Sequence, residues 1–379
     1  MKIEKFTILL IIDNKFEGRY CQDFVLGFHR KHPEVEIIFM SLQKCDPPDW
    51  MLNFENCTPL ISKSSNFARR CLSLIWQIRK IHIDIIQTHL FYSGMIGVLI
   101  GKALKKPVIH TRHHLDENWQ LGTRFHVLAD RLTMRLSQRI VTFSQATKNW
   151  IVEKEKVQAE KVSVINQGFD FTSLQPLKPD IQISYEALNF QKSTFNIVCV
   201  SRYLEVKGQK ILVDALKYIN SRKSVDDRSK PIRIAFIGIG NSEWLETYIL
   251  ESRLQKEITC YPARSDIAAC LAAADLVCHP SLADSFSQLI IETQAIGTPI
   301  IASRIAGAAE QIIEGVTGII VTPNCAIELA SAIMFLQNDS VRAMNMGIAG
   351  KKHVRESFSL ERMIDEEYQL LVNLMKTTN

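Results

Sequence analysis

The sequence predicts an α/β protein with two doubly wound parallel sheets in tandem. Its 379 residues exceed one ordinary hydrophobic core and suit two domains. Short apolar, β-branched runs alternate with longer segments of helical period, which is typical of repeated βα units. This pattern breaks once, near the middle of the chain, and then restarts. We therefore expect two Rossmann-like domains that face each other across a cleft.

The first half of the chain contains six predicted strands separated by helices. The strands are expected at residues 6–12, 35–40, 84–89, 107–113, 139–144 and 162–168. The clearest helical segments are residues 66–80, 93–104 and 123–137. We assign residues 1–175 to an N-terminal domain on this pattern.

Periodicity is lost around residues 171–194, where two Pro residues stand among polar ones. We predict an interdomain linker at 176–194. The second domain, 195–357, has six predicted strands, and residues 358–379 form a predicted terminal helix. The strands are expected at residues 195–201, 232–238, 258–262, 276–281, 299–303 and 318–323, with helices near 208–220 and 242–253. In such sheets ligands bind at the carboxyl ends of the strands, which places the expected site in the cleft.

The net charge of +5 is carried by the first half, because the second half is slightly acidic. This asymmetry predicts an anionic partner for the first half. A phosphorylated or membrane-borne substrate fits this pattern as well as nucleic acid does.

The nine Cys residues show no metal-binding or disulfide spacing. We therefore expect no zinc site and a reducing, cytoplasmic location. The first apolar run is too short for a secretory signal or a membrane span, and it is predicted to be a buried strand.

A basic loop follows the first strand of the second domain, in "VSRYLEVKGQKILVDAL". Arg202 and Lys207 flank a turn that leads into a helix near Gly208, an arrangement suited to a diphosphate. A solvated basic loop is the alternative interpretation. In "FIGIGNSEWLE", Gly238 and Gly240 predict a tight turn close to a ligand. A nicotinamide site is disfavoured, because a Glu occupies the third Gly position of the dinucleotide fingerprint.

Two carboxylates, Asp284 and Glu292, stand eight positions apart in "ADSFSQLIIETQAIG". Ser285 or Ser287 is expected to cap the helix that follows, and Gly297 to end it. The apolar positions of this helix are expected to face the sheet, with Glu292 on the opposite side. Glu292 could then accept hydrogen bonds from a ribose diol and Asp284 from a sugar, although either acid alone could be a solvated surface charge.

Four polar residues lie at the end of a predicted strand of the first half in "HTRHHLDENW". They are His110, His113, His114 and Asp116. One of these side chains could orient an acceptor hydroxyl or a transferred sugar, whereas an isolated loop His is more often structural.

The segment "RFHVLADRLTMRLSQR" predicts an amphipathic helix with a basic face. Its arginines are set against Leu128, Leu132 and Leu136. Docking on an anionic membrane and an ordinary solvated face are both compatible with this pattern.

These segments together resemble the retaining glycosyltransferases of family 4, which have the GT-B fold. The basic loop is similar to their R-x(4)-K-G element, and the stretch with two acids is similar to their E-x(7)-E region. "PVIHTRHH", "IVTFSQATKNWI" and "VSVINQGFD" resemble segments of their first domain. The resemblance departs at Asp284, where the family usually has Glu, and at Ser285 and Ser287, where Gly is common. The loop "DNKFEGRYCQDF" also lacks the paired Gly of many relatives.

The resemblance implies transfer of a sugar from a nucleotide diphosphate donor, such as a UDP-sugar, to a hydroxyl of a glycan or lipid-linked acceptor. It implies retention of the anomeric configuration, no metal and no cofactor beyond the donor itself. Polysaccharide or lipopolysaccharide synthesis at the cytoplasmic membrane face is the expected setting, with peripheral contact to anionic lipid and without nucleic acid. A nucleotide-sugar epimerase of the same architecture, or a binding protein without catalysis, is the alternative.

The resemblance also assigns roles to residues. Arg202 and Lys207 are expected to neutralise the diphosphate, Glu292 to hold the ribose and Asp284 the donor sugar. His113 or His114 is expected near the reacting centre. The remaining donor-site residues are expected to be Gly238, Gly240, Ser285, Phe286 and Ser287. The terminal helix is expected to cross back onto the first domain.

Overall fold

The computed structural model describes residues 5–13, 19–52, 54–113, 123–222 and 229–378. The chain divides into two compact units. Unit 1 comprises Met1–Phe169 and Phe358–Asn379, and unit 2 comprises Asp170–Ser357. None of the described helices is both long enough and apolar enough to cross a membrane.

Unit 1 is built on a parallel sheet with the strand order β3-β2-β1-β4-β5-β6-β7. Its strands are β1 (Phe6–Ile12), β2 (Val35–Ser41), β3 (Cys57–Leu60), β4 (Ile85–His89), β5 (Val108–Arg112), β6 (Arg139–Thr142) and β7 (Val162–Val164). The helices before the second unit are α1 (Arg19–Lys31), α2 (Asp49–Leu52), α3 (Phe67–Ile78), α4 (Phe91–Leu104), α5 (Arg124–Leu136) and α6 (Gln145–Lys154). All seven residues of β1 are buried, as expected of a central strand covered on both faces.

Unit 2 repeats this architecture with the strand order β10-β9-β8-β11-β12-β13, also parallel. Its strands are β8 (Phe195–Val200), β9 (Ile232–Gly238), β10 (Ile258–Pro262), β11 (Leu276–His279), β12 (Ile300–Ser303) and β13 (Ile319–Val321). Its helices are α7 (Lys178–Ala187), α8 (Gln209–Arg222), α9 (Glu243–Glu251), α10 (Ile267–Ala272), α11 (Gln288–Ile296), α12 (Ala308–Gln311), α13 (Ala326–Asn338) and α14 (Ser340–Ser357). Apolar clusters cover both faces of the sheet.

The predicted linker at 176–194 is wrong, because this segment belongs to unit 2. It contains α7, and Leu188 and Phe190 lie in a core cluster with the sheet of that unit. Pro179 falls in the first turn of α7, where its missing N–H breaks no helical hydrogen bond. The Pro residues therefore mark a helix start here.

The last helix, α15 (Leu360–Thr378), returns to unit 1 and packs against α1. A Cβ on Gly27 would lie 2.4 Å from Ile364, so the two helices approach closely at this point. The rings of His32 and Tyr368 stack with their centroids 3.7 Å apart. α15 thus packs on α1 and on the residue that follows it.

Candidate functional site

The strand order of unit 2 reverses between β8 and β11, and the loops after these two strands meet there. The Leu282 N–H donates to the Val206 carbonyl over 2.8 Å. Gly208 has φ +71°, and a Cβ on it would lie 2.0 Å from the Pro280 carbonyl oxygen. Only Gly fits this conformation and this approach. The arrangement forms the crevice at the carboxyl ends of the strands where ligands of such sheets bind.

Lys207 and Asp284 form an ion pair in this crevice. The Lys207 Nζ lies 3.2 Å from Asp284 Oδ2, with the two side chains 14% and 22% exposed. His279, at the end of β11, places its Nε2 3.6 Å from the same oxygen. Burial raises the pKa of the Asp284 carboxyl, but His279 and the Lys207 charge outweigh burial and hold it below its usual value. Asp284 is therefore an anion at neutral pH.

Arg202 is exposed on the loop that follows β8. Gln209 holds the backbone of that loop in place: its Nε2 donates to the Ser201 Oγ and to the Arg202 carbonyl, each over 2.8 Å. Gln209 is fully buried. The loop thus presents the Arg202 cation to solvent from a fixed backbone.

Gly238 and Gly240 form the turn after β9. A Cβ on Gly238 would lie 1.8 Å from the Ser201 carbonyl oxygen, and Gly240 has φ +114°. The turn can therefore lie directly against the loop that carries Arg202. Both glycines are required by backbone geometry.

Residues 285–287 lead from Asp284 into α11. Ser287 stands at the N-cap position, but its side chain makes no capping hydrogen bond, so the predicted cap is wrong for this residue. Its N–H instead donates to Gln311 Oε1 over 3.1 Å, and Gln311 Nε2 donates back to the Ser287 carbonyl over 2.8 Å. Gly307 lets the backbone at Ser285 and the buried Phe286 approach, since a Cβ there would lie 2.6 Å from the Ser285 carbonyl oxygen.

Glu292 is half-buried, just over one turn inside α11. The helix is buried on nearly all sides, because it contacts α10 and α14 as well as the sheet. The prediction that Glu292 lies opposite the apolar face is confirmed: in the first turn and a half only Gln288 is exposed and Glu292 partly so, while the residues between them are buried.

Two histidines of the predicted site in unit 1, His113 and His110, lie in different environments. His113, just after β5, places its Nε2 2.9 Å from Nδ1 of His89, the last residue of β4. His110 lies beneath α4, where its Nδ1 is 2.9 Å from the Thr88 hydroxyl. Burial lowers the pKa of His110 to about 4, so it is a neutral core residue. His114 and Asp116 lie outside the described residues.

The strand order of unit 1 reverses between β1 and β4, and Asp13 lies at that position. Its carboxylate accepts hydrogen bonds from the backbone N–H groups of Tyr92 and Ser93, in the first turn of α4. Burial raises the pKa of Asp13, although these hydrogen bonds oppose the shift. Asp13 therefore occupies the N-terminus of α4. Gly18, in the loop that follows Asp13, is outside the described residues.

The predicted amphipathic helix forms as α5, and two of its leucines are exposed. Leu128 and Leu132 are 67% and 54% exposed. The buried face instead carries Ala129, Asp130, Thr133 and Met134. Asp130 pairs with the fully buried Arg112, which also lies 3.1 Å from Glu155. The core contacts of α5 are thus made by this smaller and partly polar face.

Several residues of these sites were not selected from the sequence: His279, Gln311, His89 and Asp13. His279 could have been selected from the sequence, because it is a polar residue within an otherwise apolar predicted strand. Within the described parts of the chain, no three His, Cys, Asp or Glu side chains cluster as ligands of a metal ion.

Two family models match the chain, and between them they span most of it. "Glycosyltransferase Family 4" matches residues 18–173 and "Glycosyl transferases group 1" matches residues 180–353. A D-inositol 3-phosphate glycosyltransferase of Pseudarthrobacter chlorophenolicus is 24% identical over 72% of this chain and 67% of its own length. The enzyme of the same name from Segniliparus rotundus is 24% identical over 89% of this chain and 79% of its own.

Solved structures show the same fold. HepE of Anabaena, solved with UDP-glucose, has a TM-score of 0.80 at 19% identity and covers 97% of this chain and 99% of its own. Sucrose-phosphate synthase of Thermosynechococcus elongatus has a TM-score of 0.80 at 18% identity and covers 98% and 100%. With both family models matched in order along two parallel-sheet units, the chain belongs to the family 4 glycosyltransferases and has their GT-B fold.

Proposed function

We propose that this chain transfers a sugar, with retention of the anomeric configuration, from a UDP-sugar to a hydroxyl of a glycan or lipid-linked acceptor. The observation that carries the proposal is the cluster of Lys207, Asp284 and His279 at the switch point of unit 2, the place where its strand order reverses between β8 and β11. The UDP-glucose in the Anabaena structure supports a donor of this class. The two curated relatives, by name, act on an inositol phosphate, which favours a phosphorylated acceptor.

The diphosphate of the donor binds Lys207 and Arg202. As the bond between sugar and phosphate breaks, negative charge grows on the departing diphosphate, so two fixed cations stabilise the transition state more than the ground state. The diphosphate oxygens replace Asp284 as the partner of Lys207. The Ser287 N–H is already bonded to Gln311, so the start of α11 offers the anion the backbone N–H groups of the turn that follows Ser287.

Asp284 and Glu292 bind the two ends of the donor. Once Lys207 turns to the phosphate, the Asp284 carboxylate accepts hydrogen bonds from the donor sugar, and His279 stays beside it. Glu292, half-buried one turn into α11, accepts from the ribose hydroxyls. Asp284 is one methylene shorter than Glu, so we expect it to influence which sugar is bound.

The reaction in this proposal needs neither a metal ion nor a protein base. Lys207, Arg202 and the helix terminus compensate the diphosphate charge. The leaving phosphate oxygen takes the proton of the attacking acceptor hydroxyl on the same face of the sugar, which gives retention. His113 serves as a hydrogen-bonding group near the reacting centre.

An anionic membrane surface is the proposed location of the acceptor. Helices α3, α4 and α5 form one surface of unit 1, since Phe67 of α3 lies 6.2 Å from Tyr92 of α4, and Phe91 of α4 lies 5.2 Å from His126 of α5. Eight large apolar or aromatic side chains of this α3–α5 surface are exposed. They are Phe67, Leu72, Trp76, Tyr92, Leu99, Phe125, Leu128 and Leu132.

The same surface is basic. Exposed cations are Arg69, Arg79, Lys80, Lys102, Lys105, Arg124 and Arg135. Helices α3 and α4 contain no Asp or Glu, and the one acid of α5, Asp130, is buried against Arg112. Apolar side chains interleaved with cations suit the interface of an anionic bilayer, where each cation contributes about 1 kcal/mol.

The donor proposal is tested by thermal shift with a panel of nucleotide sugars, followed by NMR of the product formed with glycan and lipid-linked acceptors. One UDP-sugar is expected to raise the melting temperature, because ligand that binds only the folded state stabilises it. The transferred sugar is expected to keep its anomeric configuration. A chain that no nucleotide sugar stabilises contradicts the proposal, as does epimerisation of the donor in the absence of acceptor.

The membrane part of the proposal is tested separately by flotation with anionic vesicles. Arg131 is a poor choice for charge reversal, because its Nη2 donates to the Lys154 carbonyl over 3.2 Å. We therefore choose Arg124→Glu with Arg135→Glu, which is expected to abolish flotation. Lys256→Glu with Lys352→Glu makes the same change in net charge on unit 2 and is expected to float like the wild type. Equal flotation of both double variants contradicts membrane docking through α5.

A further inference from the structure

We propose that His89 is a positioning residue for His113: it donates its Nδ1–H to Nε2 of His113 and so fixes both the ring and the tautomer that His113 presents to the sugar. This inference rests on the proposed function, and it deepens it by assigning a residue that acts through another. The relevant contact is the 2.9 Å distance between the two nitrogens.

The two histidines lie side by side because their strands are neighbours in the sheet. His89 pairs in register with Thr111, two residues before His113. His89 is only 1% exposed. The surrounding core therefore fixes the orientation of the His89 ring. The hydrogen bond to this fixed ring in turn orients the His113 ring.

Aromatic rings enclose the pair. The His113 ring meets Phe143 edge-on, with centroids 4.9 Å apart, and meets Tyr20 at 5.4 Å. Tyr20 also lies 5.2 Å from the His89 ring, and Phe24 contacts His89 from the same helix, α1. These rings restrict tilting of both imidazoles, so the hydrogen bond can select one orientation of His113.

The direction of the hydrogen bond follows from burial. Burial lowers the pKa of His89 well below its usual value, and the nearby His113 and His110 lower it further. His89 is therefore neutral, with a single N–H. Its Nε2 is buried and has no hydrogen-bond partner among the described residues. A proton on Nε2 would bury an unpaired donor, whereas a proton on Nδ1 is used in the bond to His113.

The tautomer of His113 follows from that of His89. Because Nε2 of His113 accepts, the proton of neutral His113 resides on Nδ1. Hydrogen bonding to the donor sugar or the acceptor then falls to Nδ1–H, which suits the hydroxyl oxygens of a sugar. Without His89, this hydrogen bond no longer favours the Nδ1–H tautomer of His113, so a smaller fraction of the molecules presents the donor edge.

The test compares His89→Asn with His89→Phe. Asn places an amide N–H near the position of Nδ1, and Phe keeps the ring packing but donates nothing. In wild-type protein labelled with ¹⁵N-histidine, NMR is expected to show His113 as a single Nδ1–H tautomer. Its signals are assigned by their loss in His113→Asn.

In His89→Phe the His113 signals are expected to become a mixture of tautomers, and kcat to fall roughly ten- to a hundredfold with little change in the KM for the donor. His89→Asn is expected to restore most of kcat. A wild-type His113 protonated on Nε2 overturns the inference even if neither variant folds. Equal kcat in His89→Asn and His89→Phe also overturns it. Absence of any transfer by the wild type refutes the proposed function instead, because the NMR measurement does not depend on turnover.

Discussion

Replacing Asp284 with Asn is predicted to strengthen the binding of UDP while weakening sugar transfer. Asp284 holds Lys207, the cation that the proposal assigns to the diphosphate, at 3.2 Å. A diphosphate must displace this carboxylate and then lies close to its negative charge. The attraction between Lys207 and Asp284 that the diphosphate must overcome is about 1 to 2 kcal/mol, for two unit charges 3.2 Å apart at effective dielectric constants of roughly 50 to 80. Removing the competing charge therefore predicts a gain in UDP affinity of roughly five- to thirtyfold.

The assay is isothermal titration of UDP into wild type, Asp284→Asn and a control, Glu205→Gln. Glu205 is an acid on the same loop, 79% exposed and 3.7 Å from Lys210 rather than Lys207. The control is expected to bind UDP like the wild type. Transfer from the UDP-sugar is expected to fall in Asp284→Asn, because the amide no longer accepts strongly from the sugar hydroxyls. Weaker UDP binding in Asp284→Asn would refute the reasoning, since it would mean that Asp284 supports the phosphate site instead of competing for it.

Two further predictions concern the stability of the fold. Gly208→Ala is expected to lose about 1 to 3 kcal/mol of unfolding free energy in urea titrations, because Ala is strained at φ +71° and its Cβ meets the Pro280 carbonyl; unchanged stability would contradict this. Burial raises the pKa of Glu367 from 4.5 to about 8. The folded state thus holds a proton that the unfolded state releases, so wild-type stability should fall by about 1.4 kcal/mol per pH unit between roughly pH 5 and 8 relative to Glu367→Gln. Parallel pH profiles of the two proteins would contradict this shift.

The strands of both sheets were largely predictable because buried parallel strands are continuous β-branched runs. The bounds predicted for β1, β9 and β10 agree with the structure. β3 was missed since it has four residues and includes a Pro, which an edge strand tolerates. The buried face of α5 was not predictable from its spacing, because Asp130 is buried through its pairing with Arg112, a residue of a distant strand.

The candidate site was predictable only in part. Lys207 and Asp284 were selected from their motifs, and the fold brings them together across 77 positions of sequence. The residues that hold these groups in place were not selected, because their contacts arise only when distant loops meet. Gln311 bonds to Ser287 from a helix 24 residues later, and His89 reaches His113 from the neighbouring strand. Such partners carry no local pattern of their own.

The central claim is that the switch point of unit 2 binds the diphosphate of the donor through Lys207. The most direct measurement is titration of UDP into wild type, Lys207→Ala and Lys210→Ala. Loss of a charge-assisted hydrogen bond predicts roughly ten- to a hundredfold weaker binding in Lys207→Ala. Lys210, three residues later and 45% exposed beside Glu205, is the matched control and should leave the affinity unchanged. Equal UDP affinity in Lys207→Ala and the wild type would contradict the account.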